Sequence, residues 1–519
     1  MSNQLKNHII SLFRLNGFSL RGEACDFLLA NLEPLPGDDR NVWLEKITDW
    51  LLKENLTSPV IEKKQLEAAI IECCKVSSED DDNLLTVYSA FNVPRFYFDI
   101  TRKKFLPSAN KQCPELFSSP QEKGAIYRCR YTVLQQKTLR NKLFRSTTQG
   151  NSQFRLCTID SLLSVTSSVN NIIVLGMIAQ LKEEKYYLED PTGIVPLDLA
   201  ETIYHDGLFA ETCFVLVEGC YRDGILFVKA IGLPPREPSD VSRIYFGSPN
   251  SFGGPLDLHI RNNRKLLNIE KRRTDSMFVF ISDIWLDQPK VLEKLEMLFD
   301  GYSQTPPTAF ILMGNFLSGQ KGSQHFSALR SGFRSLGDII SQYSELANNS
   351  KFILVPGPID LPNANILPRP EFPDTLVAEL KNRLKHLTLA SNPCRIRYCT
   401  QEIVLIRENI LTKLCRNSIH FPETKDIPLH FVKTIICQSH LAPLSLNVCP
   451  LYWGYDAALQ LYPCPDMIVV GEQQKPFSVC YNDCNVINPG SFSKGEFTFK
   501  VYYPATKEID ECQIPVNVQ

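Results

Sequence analysis

The sequence predicts a multidomain α+β protein with a helical N-terminal domain, a β-rich middle and a C-terminal α/β domain. Apolar residues recur at helical spacing over residues 3–75, and short apolar runs joined by Gly, Pro and Asp fill residues 154–233. After residue 275, apolar strands alternate with amphipathic helices. Because 519 residues exceed what one core usually holds, several domains are expected. We place their boundaries at 1–75, 76–150, 151–240 and 241–519.

Composition argues against several protein classes. A hydrophobic content of 44% with 22% charged residues is ordinary for a globular protein, and a formal net charge of -2 gives no global attraction to nucleic acid or membranes. Seventeen scattered cysteines without a C-x-x-C pair favour reduced thiols over a disulfide framework or a zinc site. The N-terminal stretch lacks a signal-peptide pattern and no run is long enough to span a bilayer. We therefore expect an intracellular protein that does not contact membranes.

The first 75 residues are predicted to form a small helical domain. Leu5, Ile9, Leu12 and Phe13 fall on one helical face that ends near Gly17. RNVWLEKITDWLLKEN and SPVIEKKQLEAAIIECC are two further helical patterns. The acidic run SSEDDDN at 77–83 predicts a solvated linker, and NVPRFYFDITRKKFLP after it predicts an extended arm.

Two basic stretches are candidate nucleic-acid contacts. Residues 121–145 carry seven Lys and Arg against one glutamate, and RNNRKLLNIEKRR at 261–273 is a second basic segment. Such clusters bind phosphates, but a solvated or partner-facing helix gives the same pattern more often. The candidate contacts are Arg128, Arg130, Arg140, Lys142, Arg264, Lys265, Arg272 and Arg273.

The β-rich segment between residues 154 and 233 suggests a small Greek-key barrel of the OB type. Five short strands in about eighty residues, with a turn signal at EDPTG, fit that architecture. OB barrels often bind single strands through basic, aromatic grooves. Residues 172–233, however, contain ten acidic residues and four basic ones. We therefore interpret the barrel mainly as a protein-interaction or packing module.

The C-terminal half predicts a layered α/β domain. Its strands are continuously apolar, which is typical of strands whose two faces are both covered. Helical patterns such as VLEKLEMLF and SALRSGFRSLGDIISQY lie between them. The predicted strands are SMFVFISD, TAFILMGN, KFILVPG, EIVLIRE, FVKTIICQSH, DMIVVGE and NVINPGSF.

The loops after these strands resemble the metal-binding motifs of calcineurin-like metallophosphoesterases. That family places D-x-H, G-D, G-N-H-[DE], a lone histidine and G-H-x-H after successive strands, where carboxylates and imidazoles bind two divalent cations. Here the motifs are SDIW, MGNFLS, GPID, QSHLAP and VGEQQ. The corresponding residues are Asp283, Trp285, Asn315, Pro358, Ile359, Asp360, His440, Glu472 and Gln474.

Most of the expected metal ligands are replaced. Only Asp283 and His440 remain, and Asn315 replaces the bridging aspartate. Pro358 has no side-chain donor in place of an asparagine amide, and Ile359 cannot transfer a proton in place of a catalytic histidine. The resemblance therefore implies an inactivated phosphoesterase domain with no metal, no cofactor and no catalytic residue. A metallophosphoesterase with an altered metal site is the alternative.

Longer blocks resemble the B-subunit family of replicative DNA polymerases, especially its epsilon branch. They include YYLEDPTGIVPLDL, MFVFISDIWLDQPKVLEKL, HFVKTIICQSHLAPL and VCPLYWGYDAALQLYP. The resemblance implies a nuclear, non-catalytic subunit that binds the cysteine-rich C-terminal region of the catalytic subunit. It also implies that the chain links this subunit to the replicative helicase, joins the small histone-fold subunits and meets DNA within the complex. An OB-fold nucleic-acid-binding protein is the remaining alternative.

Overall fold

The computed structural model describes most of the chain. The described residues are 2–32, isolated positions between 40 and 69, 84–108, 114–145, 154–246, 250–254, 264–360, 365–424 and 426–515. They divide into two compact units, Met1–Leu84 and Leu85–Gln519. Within these ranges, no helix has both the length and the apolarity that crossing a membrane requires.

The first unit has a helical core of its own. Ile9 and Phe13, two of the predicted stripe residues, are fully buried in it. Gly17 adopts φ +82, a left-handed conformation that suits the predicted helix end. The helices predicted at 40–55 and 58–74 lie mostly, and the acidic run wholly, outside the described residues. The elements are α1 (Ser2–Leu15), β1 (Ser19–Leu20), α2 (Gly22–Leu32) and β2 (Val60–Ile61), with β1 and β2 parallel.

The segment predicted as an extended arm with a basic helix contains short strands in addition to that helix. It contains β3 (Leu85–Ser89), β4 (Phe96–Asp99), β5 (Lys104–Pro107) and the long helix α3 (Pro120–Arg140). β3 pairs antiparallel with Cys394–Tyr398 in a C-terminal sheet. β4 and β5 form a hairpin whose Phe105 stacks on Phe246. These aromatic residues bury apolar surface, so the described part of the segment is packed into the second unit.

A closed five-stranded barrel follows, as the OB prediction requires. The strands run in the order β9, β8, β7, β12, β13 and back to β9, and the closing pair β13–β9 is parallel while the others are antiparallel. Its elements are β6 (Leu156–Cys157), α4 (Ile159–Leu163), β7 (Val169–Lys182), β8 (Lys185–Asp190), β9 (Gly193–Asp198), β10 (Ile203–Tyr204), β11 (Phe209–Ala210), β12 (Phe214–Arg222) and β13 (Ile225–Gly232).

The C-terminal part contains two six-stranded sheets with helices around them. The elements of this part are α5 (Ser239–Ile244), α6 (Arg264–Arg272), β14 (Phe278–Ser282), α7 (Pro289–Tyr302), β15 (Ala309–Met313), α8 (His325–Ile340), α9 (Ser344–Asn349), β16 (Lys351–Val355), α10 (Asp374–Arg383), β17 (Leu387–Leu389), β18 (Cys394–Tyr398), β19 (Gln401–Arg407), α11 (Ile410–Arg416), β20 (Ser418–His420), α12 (Ile427–Gln438), β21 (Met467–Gly471), β22 (Phe477–Tyr481), β23 (Cys484–Asn488), β24 (Thr498–Tyr503) and β25 (Glu508–Gln513). The first sheet has the order β17-β16-β15-β14-β24-β25 and the second β22-β23-β21-β19-β18-β3.

The predicted double coverage of the central strands is confirmed. Every residue of β14, β15, β19 and β21 is buried, so both faces of each strand are packed. Strands β14, β15 and β16 are parallel, and their carboxyl ends therefore lie along the same sheet edge. This arrangement brings the loops with the phosphoesterase-like motifs to one place.

The segment FVKTIICQSH is helical, so its prediction as a strand is wrong. All of it up to Gln438 belongs to α12, where the Asp426 carboxylate accepts a hydrogen bond of 3.1 Å from Leu429 N and Pro428 lies in the first turn. Both features favour a helix start. The apolar run is continuous because α12 is buried on most of its sides, and a short run of that kind has the same pattern in a helix and in a strand.

Helix α12 also joins the barrel to the α/β domain. Gly207 N donates to His430 Nδ1 over 2.9 Å. The Gln438 side-chain amide pairs with both backbone groups of Phe214, accepting from its N over 2.9 Å and donating to its O over 2.6 Å. Strands β11 and β20 add an antiparallel pair across the same boundary. The barrel therefore packs as part of the second unit, consistent with a packing role.

Candidate functional site

Asp283 lies where β14 ends, at the centre of the converging strand ends. It is fully buried, with φ +63, a left-handed conformation that aspartate tolerates better than most residues. Its Oδ1 accepts hydrogen bonds from Asn315 N over 3.2 Å and Asn315 Nδ2 over 3.1 Å. Its Oδ2 accepts one from Ser491 Oγ over 2.8 Å. Both carboxylate oxygens thus have partners within the protein.

Arg407, the last residue of β19, supplies the positive charge at this place. Its guanidinium is fully buried and donates to Asp283 Oδ1 over 2.9 Å. It also donates to the carbonyl of Gly314, to the carbonyl of Gly471 over 3.0 Å and to Asn409 Oδ1 over 3.3 Å. The planar fork of arginine suits several fixed acceptors at once. The Arg407 guanidinium is therefore a buried cation that binds oxygen atoms at the ends of several strands.

Asp360 is the second buried carboxylate of the cluster. Its Oδ1 accepts a hydrogen bond from Phe316 N and its Oδ2 one from Gly357 N, both over 2.7 Å. Burial raises the pKa of Asp360 to about 6, although these backbone donors and Arg407 oppose the shift. The side chain closes its loop onto the preceding strand end, which is a structural role.

Glu472 follows β21 and caps a helix instead of reaching toward a ligand. Its Oε1 accepts a hydrogen bond of 2.6 Å from Leu411 N at the start of α11. Burial raises the pKa of this carboxyl to about 8, outweighing the Leu411 hydrogen bond and the charge of Arg407. At neutral pH Glu472 is therefore mostly protonated, and it adds little negative charge near Arg407.

His440 lies in a separate buried cluster. Its Nε2 is 3.2 Å from Asp456 Oδ1, and its Nδ1 accepts a hydrogen bond of 3.1 Å from Ala442 N. Arg130 forms a salt bridge of 2.6 Å with the same Asp456 oxygen. Burial and then the charge of Arg130 lower the pKa of His440 to about 4, so the ring is neutral at physiological pH. A neutral imidazole here accepts a backbone hydrogen bond and is buried among protein groups.

The residues present do not fit the two-metal centre of a phosphoesterase. Among the described residues, no group of three or more His, Cys, Asp and Glu side chains is placed to hold a metal ion. The oxygen atoms at the strand ends already accept hydrogen bonds from Arg407, Asn315 and backbone amides. Introducing a dication would place it against a permanent positive charge that is fixed in the same cluster.

Three family models match the chain. The model of the B subunit of DNA polymerase alpha/epsilon matches residues 278–479, that of the DNA polymerase epsilon subunit 2-like OB-fold domain residues 120–235, and that of the DNA polymerases epsilon N terminal residues 1–73. The chain is also 45% identical to DNA polymerase epsilon subunit 2 of Bos taurus over 520 residues, covering 98% of this chain and 99% of that protein. It belongs to the DNA polymerase epsilon subunit 2 family. The resemblance found in the sequence is thereby confirmed.

More distant members of the epsilon subunit 2 family also match along the chain. The Drosophila melanogaster protein is 40% identical over 99% of this chain and 99% of its own length, and the Arabidopsis thaliana protein is 33% identical over 98% and 99%. A solved archaeal phosphodiesterase overlays 46% of this chain and 99% of its own, with 12% identity and a TM-score of 0.26. The sheet order described above, and not that overlay, defines the architecture.

The remaining motif positions place no charged side chain at the centre around Asp283. Trp285 is half-buried against the core around β14, and Lys494 Nζ lies 5.6 Å from its ring centre. Pro358 and Ile359 are half-buried, and Ile359 N donates to Asn315 Oδ1 over 3.1 Å. Gln474 is exposed at the surface. Of the nine positions, Asp283, Asn315 and Asp360 thus lie at one centre and His440 lies elsewhere.

Two of the candidate nucleic-acid contacts are bound to carboxylates of the protein itself. Arg130 is buried in its salt bridge with Asp456. Arg140 forms a two-pronged pair with Glu237 and stacks over the Tyr245 ring at 4.1 Å. Both guanidiniums fix α3 in place because their partners lie on other parts of the second unit.

The other candidate contacts lie at the surface or outside the described side chains. Arg128, Lys142, Lys265 and Arg272 are exposed, and Arg273 is half-buried. The side chain of Arg264 lies outside the described residues. Only some of the basic residues selected from the sequence are therefore exposed to solvent.

Sequence reasoning missed Arg407 and Asp456, which are central to the two buried clusters. A signal for Arg407 existed: a single arginine closes the apolar strand EIVLIRE at the point where the other strands end in motif residues. A charged residue at a buried strand end is costly unless a counter-charge is present. Asp456 had no comparable signal, since its partner Arg130 is 326 positions away.

Proposed function

We propose that this chain is the non-catalytic accessory subunit of DNA polymerase epsilon and acts in chromosomal replication and repair in the nucleus. The observation that carries the proposal is the closed strand-end centre, where Arg407 and Asp283 form a fully buried ion pair. A phosphoesterase needs an open floor of ligand oxygens and imidazoles at that position. In this chain the Arg407 side chain occupies that position, which supports a structural role without catalysis.

We further propose that the chain binds the cysteine-rich C-terminal region of the catalytic subunit. The second unit suits this role because its barrel and α/β domain are joined through buried polar contacts such as Gln438 with Phe214. A preformed surface loses little conformational freedom on binding, which favours a stable complex. The surface next to the barrel boundary, which both domains share, is the proposed docking region.

The first unit is proposed to serve a different partner, the replicative helicase, and the small histone-fold subunits are proposed to join the same complex. The unit has its own buried core, which includes Ile9, Phe13 and Leu28. A separately packed unit can bind one partner while the second unit binds another. This division supports a linking role between polymerase and helicase.

Co-expression tests these assignments. The full chain and a variant without residues 1–84 are each produced with the tagged C-terminal region of the catalytic subunit, and separately with purified helicase. We expect both versions to co-elute with the catalytic region in size-exclusion chromatography and only the full chain to retain helicase. Failure of both to bind the catalytic region refutes the accessory-subunit proposal. Retention of helicase by the truncated chain refutes the linking role of the first unit.

Direct DNA contact is a second, narrower proposal, restricted to exposed cations such as Arg128, Lys142 and Arg272. Exposed cations that meet phosphates produce an affinity that falls steeply with salt. In the assembled complex, neutralising Arg128 and Lys142 together should weaken DNA binding at every sequence and reduce the salt slope by about one or two. An unchanged affinity and slope in fluorescence anisotropy rejects contact by these residues.

A further inference from the structure

The oxygen atoms around Arg407 at the strand ends have the composition of a metal-ion site. The cation that they bind, however, is an arginine side chain of the protein itself. The acceptors of Arg407 are a carboxylate oxygen of Asp283, an amide oxygen of Asn409 and the backbone carbonyls of Gly314 and Gly471. Carboxylate, amide and carbonyl oxygens are also the ligands that Ca²⁺, Mg²⁺ and Mn²⁺ prefer. We propose that the Arg407 guanidinium is a covalently attached substitute for a divalent ion, and that removing it leaves a site for such an ion.

Charge balance supports this assignment. The side chains of Arg407 and Asp283 are both fully shielded from solvent. A buried carboxylate without a counter-charge is strongly unfavourable, so some cation is required whenever Asp283 is ionised. Arginine meets that need permanently, because it stays protonated and cannot dissociate from the chain.

The position of Arg407 also matches what a bridging ion would do mechanically. Arg407 ends β19 in the second sheet, whereas Asp283 and Gly314 follow β14 and β15 in the first. The guanidinium therefore connects the carboxyl edges of two different sheets. Gly471, at the end of β21, is the acceptor on its own sheet. A dication with these four oxygens would connect the same strand ends.

The test measures thermal unfolding of the full chain with and without MnCl₂ and CaCl₂. We expect no response of the wild-type midpoint to either salt. Arg407→Ala should unfold roughly 3–5 °C lower, since an unpaired carboxylate is left buried in the large second unit. The added ion should raise the midpoint of that variant by about 3 °C at roughly a hundred times its dissociation constant. Adding Asp283→Asn should abolish the rise.

Arg395→Ala is the matched control for the loss of a buried guanidinium. Arg395 is also buried, and its hydrogen bonds go to neutral acceptors, the backbone carbonyls of Ser251, Phe252, Ala457 and Gln460. We expect its midpoint to fall without any recovery in MnCl₂. An equal recovery in both variants would show a general salt effect and overturn the proposal. A Mn²⁺ ion bound to the wild-type chain, measured by calorimetry, would overturn it as well.

Two further variants decide the case if Arg407→Ala does not fold. Arg407→Lys keeps a positive charge with fewer donors, and Arg407→Met keeps much of the length without charge. If the guanidinium serves as a cation, the unfolding midpoint falls in the order wild type, Arg407→Lys, Arg407→Met. A methionine variant as stable as the lysine variant would show that packing alone explains the position, and the proposal would fail.

Discussion

Replacing Glu472 by glutamine should stabilise the protein, and the gain should grow with pH. The carboxyl group is buried, and burial raises its pKa from the ordinary 4.5 to about 8. In the unfolded chain the group ionises near its ordinary pKa, so folding above that pH requires proton uptake. A raised pKa contributes stability that is fully present below about pH 4.5 and is lost as pH rises toward 8. Glutamine has no such dependence.

The size of the effect follows from the two pKa values. Each pH unit between them costs the wild type about 1.4 kcal/mol of unfolding free energy. The glutamine variant should therefore gain about 2–4 kcal/mol near pH 7 and only about 1 kcal/mol near pH 5. Its amide oxygen still accepts from Leu411 N. Its NH₂ group replaces Oε2, which accepts a long hydrogen bond of 3.4 Å from Thr412 Oγ1, and a hydroxyl can rotate to accept instead.

Urea unfolding at several pH values measures this difference, and Glu408→Gln is the control. Glu408 is equally buried, but it pairs with Arg369 and lies 3.3 Å from Lys413. Burial alone would raise the pKa of Glu408, but these cations outweigh it and lower the pKa, so the amide should destabilise at neutral pH. A loss of stability in Glu472→Gln that does not vary with pH would refute the reasoning, because it would mean an ionised carboxylate.

Three further predictions follow from buried groups. Arg130→Ala should cost about 3–5 kcal/mol in urea unfolding because it strands a buried carboxylate, whereas exposed Arg128→Ala should stay within about 0.5 kcal/mol; equal losses would contradict the buried salt bridge. Because the pKa of His440 is lowered to about 4, the wild type should lose up to roughly 3 kcal/mol as pH falls from about 6.5 to 4, and His440→Gln should not show this loss in thermal scans. Gly314→Ala would place a Cβ atom 1.9 Å from a buried carboxylate oxygen and should lower the unfolding midpoint sharply, whereas Gly301→Ala, with no atom within 4 Å, should not.

The central strands could be predicted from the sequence because their burial is nearly complete. Residues 278–282, 309–313 and 351–355 are short apolar runs that end at Gly, Pro or Asp, and each is a strand in the structure. The loops that carry the motif residues begin where these strands end, so their positions could be predicted as well. For this reason Asp283 and Asn315 were correctly placed at one sheet edge.

Other features depend on contacts that no local pattern encodes. Helix α12 was predicted as a strand because burial on most sides removes the polar face that identifies a helix. Arg130 looked like a surface cation within a basic helix, yet its partner is 326 residues away. Arg407 has a local signal, but the oxygens it binds come from three other strand ends. The spacing of apolar residues in the sequence predicts which residues are buried. It does not predict which buried charged residues pair with each other, because the partners are far apart in the sequence.

The amide of Gln438 has a consequence for how the chain can be divided. It satisfies the backbone N and O of Phe214, which lies at the start of β12 and 224 positions away. A barrel expressed alone would leave these two groups without that partner, at a cost for each buried group. The boundary near residue 240 separates two architectures but not two independently stable parts. Limited proteolysis should accordingly release the first 84 residues before it separates the barrel from the sheets.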